Sequence, residues 1–164
     1  MSAVNHSRRS LFRGKRNVEL PLRPPWSLDE TAFTDACERC DKCVDVCDEG
    51  ILFRGSAGFP EVDFTKGECT FCGDCAKACP SAAISPKTVS EPWSYKVTIE
   101  ASCLSKQGVV CQSCKDECEP RAIKLIWDSA IPVPEIQLDD CTACGACVSV
   151  CPSNAISVAN LGNT

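Results

Sequence analysis

Sixteen cysteines fall into four groups along 164 residues, and their spacing limits what the chain can fold around. The most regular group is Cys141, Cys144, Cys147 and Cys151, with gaps of two, two and three residues and Pro152 behind it. Cys69, Cys72, Cys75 and Cys79 repeat it, with Pro80. Cys37, Cys40, Cys43 and Cys47 keep the spacing but have Asp48 in place of the proline. Cys103, Cys111, Cys114 and Cys118 widen the first gap to seven residues and insert Glu119 before Pro120. A lone C-x2-C loop would also suit zinc. Three thiolates on one tight loop, with a fourth carried away on a helical turn, are instead the donor set of a cubane iron–sulfur cluster.

This reading implies up to four 4Fe-4S clusters, the third group departing furthest from the pattern. A longer loop can still return a thiolate at an added ordering cost. In two-cluster ferredoxins the fourth cysteine serves the neighbouring cluster, so an even number of groups fits. Sequential pairing would place Cys79 with Cys37, Cys40 and Cys43, and Cys47 with Cys69, Cys72 and Cys75; the last two groups would exchange Cys118 and Cys151 likewise. A nested arrangement, first with fourth and second with third, is equally compatible with the near-equal spacings. Gly73 and Gly145 permit tight loops near the metal. Pro80 and Pro152 stop the short helix and turn the chain back toward a strand. Ile84, Ile123 and Ile156 recur at one offset after the fourth cysteine, as residues packed over an apolar cluster pocket would.

The cysteines read as reduced ligands only in a reducing compartment. There is no secretory h-region, and the apolar run from Ala122 to Trp127 is broken by Lys124 and too short to cross a bilayer, so a cytoplasmic chain without membrane insertion is expected. Ser7 to Arg13 looks like the charged half of a twin-arginine export signal, yet Lys15, Arg16, Asn17 and Glu19 follow instead of an apolar half. Up to Pro25 six bases face one acid; beyond it eleven bases face twenty-one acids. An acidic body argues against a nucleic-acid footprint. The basic arm fits a solvated tail or a docking arm, in which Arg8 and Arg9 would bind a partner. His6 is the single histidine, so a histidine-based catalytic arrangement in the body is excluded and no catalytic residue is expected.

The expected organisation is α+β: a basic arm and linker over 1–26, then two ferredoxin-like modules over 27–90 and 91–164. Each repeat, near 35 residues long, reads as cysteine loop, short helix, fourth cysteine and short β segment. Ser27 and Glu30 fit a capping box opening a helix that runs to about Ala36. Strands are expected at Ile51–Phe53, Pro60–Phe64, Tyr95–Ile99 and Ala122–Trp127.

The chain resembles the NapF family, ferredoxin-type accessory proteins of periplasmic nitrate reduction. Ser7-Arg8-Arg9, Arg23-Pro24-Pro25-Trp26, Ile51 to Gly55 with Gly58-Phe59-Pro60, Cys69-Thr70-Phe71-Cys72 and Cys114 to Pro120 carry the resemblance. It implies a cytoplasmic iron–sulfur protein that contacts the molybdenum-containing catalytic subunit of the nitrate reductase before export, and helps it acquire or adjust its own cluster. It also implies use of the wide third group. The alternative is a permanent electron-transfer subunit of an oxidoreductase, and a third reading is metal sites that only help a small chain fold.

Overall fold

The computed structural model describes residues 20–128 and 130–161; Arg8 and Arg9 lie outside them. Among the described residues there are five short α-helices: α1 Glu30–Ala36, α2 Lys42–Asp45, α3 Asp74–Ala78, α4 Ser113–Asp116 and α5 Ala146–Ser149. Six strands, β1 Leu52–Arg54, β2 Pro60–Val62, β3 Tyr95–Ile99, β4 Ile123–Ile126, β5 Val133–Ile136 and β6 Ile156–Asn160, complete an α+β fold. None of the described helices is long and apolar enough to cross a membrane.

The strands make three antiparallel two-stranded ribbons: β1–β2, β4–β5 and β3–β6. In the second half, β4 and β5 form the inner hairpin, with Ile123 opposite Ile136. β3 and β6 close the ends of that half, with Ile99 opposite Ile156. The first half has the inner hairpin β1–β2, with Leu52 opposite Val62. In place of an end ribbon, Trp26 to Leu28 pairs with Ala83 to Ser85: Leu28 N–H donates to the Ala83 carbonyl at 3.1 Å, and Ser85 N–H to the Trp26 carbonyl at 2.8 Å.

The capping box does not form. Asp29 caps α1, its Oδ1 accepting from Thr31 N–H at 3.1 Å and Ala32 N–H at 3.0 Å. Ser27 Oγ donates instead to the Pro24 carbonyl, and Glu30 is taken by Arg23. Arg23 is the anchor of this segment. Its guanidinium grips the Glu30 carboxylate at 2.9 and 2.6 Å, donates to the Pro60 carbonyl at 3.1 Å, and faces the rings of Phe33 and Phe59. Arg23 and Pro24 are buried, so the stretch before α1 is packed into the body.

Apolar burial gathers in two clusters. One is built on Phe33, Ile51, Leu52, Phe64 and Ile84, and the other on Val97, Ile99, Ile123 and Ile156. Trp93, Tyr95, Val148 and Val158 pack against both. Among the described residues no strand exceeds five residues, and much of what is described is loop held around the cysteines.

Candidate metal centres

Three of the four cysteine loops are bent by a left-handed residue at one offset. The residue after the second cysteine is Asp41 at φ 61°, Gly73 at 79° and Gly145 at 89° in the first, second and fourth groups. This is the conformation glycine adopts without penalty and aspartate tolerates. In the third group the equivalent Gln112 is not left-handed, at φ −140° and ψ 14°, and the longer loop runs through a 3-10 turn over Ser105–Gln107 ending at left-handed Gly108.

A second left-handed position falls three residues after every fourth cysteine: Gly50, Ala82, Arg121 and Asn154. It reverses the chain so that the next residue, Ile51, Ala83, Ala122 or Ala155, is buried beneath the loop. Ala122 N–H thereby meets Cys118 Sγ, and Ala155 N–H meets Cys151 Sγ, both at 3.2 Å. Hydroxyls add to this at a further offset, with Ser81, Ser113 and Ser153 Oγ lying 3.7, 3.8 and 3.7 Å from the sulfurs of Cys79, Cys111 and Cys151. The sequence marks these two devices unequally. The recurring C-x-S is visible there, whereas Ala82 and Arg121 carry no local mark of a left-handed turn. Ile84, Ile123 and Ile156 are buried next to these turns.

The cysteines line four cavities, four to each. Cys37, Cys40 and Cys43 are joined by Cys79. Cys69, Cys72 and Cys75 are joined by Cys47. Cys103, Cys111 and Cys114 are joined by Cys151, and Cys141, Cys144 and Cys147 by Cys118. The arrangement is the sequential one, because α2 packs on α3 and α4 on α5. The nested alternative is not what the fold presents.

These chambers suit a body larger than an ion. Tetrahedral zinc needs four sulfurs converging at ~2.3 Å from one point. Among the described residues no three His, Cys, Asp or Glu side chains converge closely enough for a single ion. Four thiols spread around each cavity match the donor set of a 4Fe-4S cluster. The cavity around Cys118 and Cys141 is walled by Val97, Ala122, Ile123 and Ile136.

Burial raises several of the thiols when free. It pushes Cys43 up to about 12, with Cys37, Cys75 and Cys79 adding repulsion. It pushes Cys75 and Cys147 to about 12 as well, and Cys69 and Cys114 to about 11. At Cys151 burial is outweighed by the N–H groups and hydroxyl of Ala155, Ser153 and Asn154, and the thiol is lowered. Most of these sulfurs are therefore protonated at neutral pH until a cationic core draws the protons off.

Comparison with known proteins agrees with this chemistry. A 4Fe-4S dicluster domain matches residues 36–83, and a 4Fe-4S binding domain matches residues 134–157. The chain is 42% identical to the ferredoxin-type protein NapF of Escherichia coli strain K12, over 94% of each. It is 39% identical to the ferredoxin-type protein NapF of Haemophilus influenzae, over 98% of each. The ferredoxin-type protein NapG of Escherichia coli strain K12 is 34% identical over 79% of this chain and 65% of its own length.

Proposed function

We infer function from kinship: the chain belongs to the NapF family of ferredoxin-type proteins and is a 4Fe-4S protein, and on that premise we propose that it is a maturation factor for periplasmic nitrate reductase. In this reading it stays in the cytoplasm, binds the immature catalytic subunit before export, and assists it by cluster loading or redox adjustment. It acts without a catalytic centre of its own and without nucleic acid. The modules are 27–90 and 91–164, behind a basic arm.

Kinship carries the link to nitrate reductase, and the observation that supports the cluster chemistry is the set of four complete thiol chambers. All sixteen cysteines would serve as ligands, with up to four clusters, including one held by the third group. When bound, such a cluster supplies a one-electron carrier. Four thiolates fill its iron coordination, which favours handling electrons over binding substrate at an open metal. Around it the chain does three things: Ala122 and Ala155 N–H groups bond ligand sulfur, Ile84, Ile123 and Ile156 exclude water, and the left-handed turns fix the loops. N–H bonds and exclusion of water both move the potential of such a site.

The test is capture of the nitrate reductase precursor from cytoplasm on the anaerobically purified protein, with iron and sulfide measured on the same sample. Retention of the precursor is expected. No retention, with tight association to another oxidoreductase, would instead make the chain a permanent electron-transfer subunit. Zinc without labile sulfide would overturn the cluster assignment. Replacing Arg8 and Arg9 together is expected to leave iron and sulfide unchanged while weakening precursor retention, since both lie in the basic arm before the first cysteine.

A further inference from the structure

The two halves of the chain meet on the cysteine loops themselves. Cys69 N–H donates to the Cys144 carbonyl at 2.8 Å, so a loop of the second group is bonded through its backbone to a loop of the fourth. Trp93 Nε1–H donates to the Thr142 carbonyl at 3.0 Å, gripping the same fourth-group loop two residues earlier. The other faces of that indole are occupied. Tyr95 stacks on it at 4.8 Å, and Phe64 and Phe71 meet it edge-on at 5.6 and 5.4 Å. Phe71 lies within the Cys69–Cys72 loop, so one indole touches both loops.

Gly145 completes the fit. It is left-handed at φ +89°, and a Cβ there would overlap the ring of Phe64, itself buried at 3% exposure. Gly73, the same position in the second group, has nothing within 4 Å of such a Cβ. The left-handed turn explains a glycine at both positions, while the close approach of Phe64 is particular to the seam.

We propose that this seam is a junction between metal sites, holding the Cys47, Cys69, Cys72 and Cys75 site against the Cys118, Cys141, Cys144 and Cys147 site, so that all four sites form one series. The proposal rests on the reading that the chambers hold clusters. Within each half the packing of α2 on α3 and of α4 on α5 already sets two sites side by side. The seam links the inner members, leaving the Cys37, Cys40, Cys43 and Cys79 site at one end and the Cys103, Cys111, Cys114 and Cys151 site at the other. A single electron leaving a reduced one-electron donor protein at one end reaches a one-electron acceptor protein at the other. The donor is oxidised and the acceptor reduced by that one electron, and no proton or bond is transferred.

The experiment isolates the inner pair in the full chain. Cys40→Ala with Cys111→Ala removes one ligand from each outer site, and iron and sulfide analysis establishes that both inner clusters remain. The reduced protein is expected to give an EPR spectrum broadened by interaction between the two, and adding Gly145→Ala is expected to abolish the broadening. Two sharp, independent signals from the protein with both inner clusters intact would overturn the junction. Should the inner clusters be lost too, the native chain is compared with Gly145→Ala alone: loss of part of the spin interaction at equal iron supports the junction, and an identical spectrum overturns it. Absence of iron and sulfide from the native chain overturns the cluster reading first, and the junction with it.

Discussion

Replacing Cys151 by alanine is expected to remove the cluster held by Cys103, Cys111 and Cys114, and to leave the one held by Cys141, Cys144 and Cys147 in place. The expectation follows from the cavity in which Cys151 joins the third group, whereas its own group is completed by Cys118. Iron quantitation on double variants decides it without assigning any spectrum. Cys151→Ala combined with Cys103→Ala strikes one site twice, so the iron lost is no greater than in either single variant. Combined with Cys141→Ala it strikes two sites, and about twice as much iron is lost, since a cluster short of a thiolate ligand is not retained. A chain whose groups each kept their own fourth cysteine gives the reverse pattern. The same logic applies to Cys79, with Cys37 and Cys69 as the partners that discriminate.

What the sequence disclosed and what it withheld divide along the range of the interactions. The ligand loops, the helix-stopping prolines, the glycines after the second cysteine and the aliphatic offset of Ile84, Ile123 and Ile156 are set within a few residues, and each is written in spacing. Pairing of the groups is not local. It is decided by which short helices pack together, and nearly equal distances between groups leave that open in the sequence. The β3–β6 ribbon closes over some sixty residues, with Tyr95 opposite Asn160, and nothing in either strand names the other.

Local signals also misled where a distant partner outbid them. Ser27 and Glu30 have the spacing of a capping box, but the Glu30 carboxylate is bound by Arg23, and the cap passes to Asp29. Asp41 fills a left-handed position that glycine fills in two sister groups, and holds the Arg54 guanidinium there. An arginine in a proline-rich stretch reads as exposed by default, because charged residues seldom bury unless paired. Here the pair and two aromatic faces supply the exception.

That exception predicts the largest loss of stability. Replacing Arg23 by alanine is expected to cost about 3–5 kcal/mol, the range for removing one partner of a buried ion pair. The side chain of Arg23 is 8% exposed and that of Glu30 30%, so a carboxylate is left half-buried without its cation. Glu61 lies 3.8 Å from the same guanidinium and the Pro60 carbonyl loses its donor, so the damage reaches β2 as well as α1. Arg23→Lys is expected to fall between native and alanine. Lysine keeps the charge but cannot grip Glu30 with two nitrogens or lie flat between Phe33 and Phe59. Because cluster loss makes unfolding irreversible, the measurement is the rate of visible bleaching on anaerobic heating at fixed temperature. The order alanine fastest, lysine next, native slowest is expected. Bleaching should begin at the Cys37, Cys40, Cys43 and Cys79 site, since α1 carries Phe33 into the first core and leads directly into Cys37. Equal rates for all three proteins would mean that Arg23 is buried without stabilising the fold.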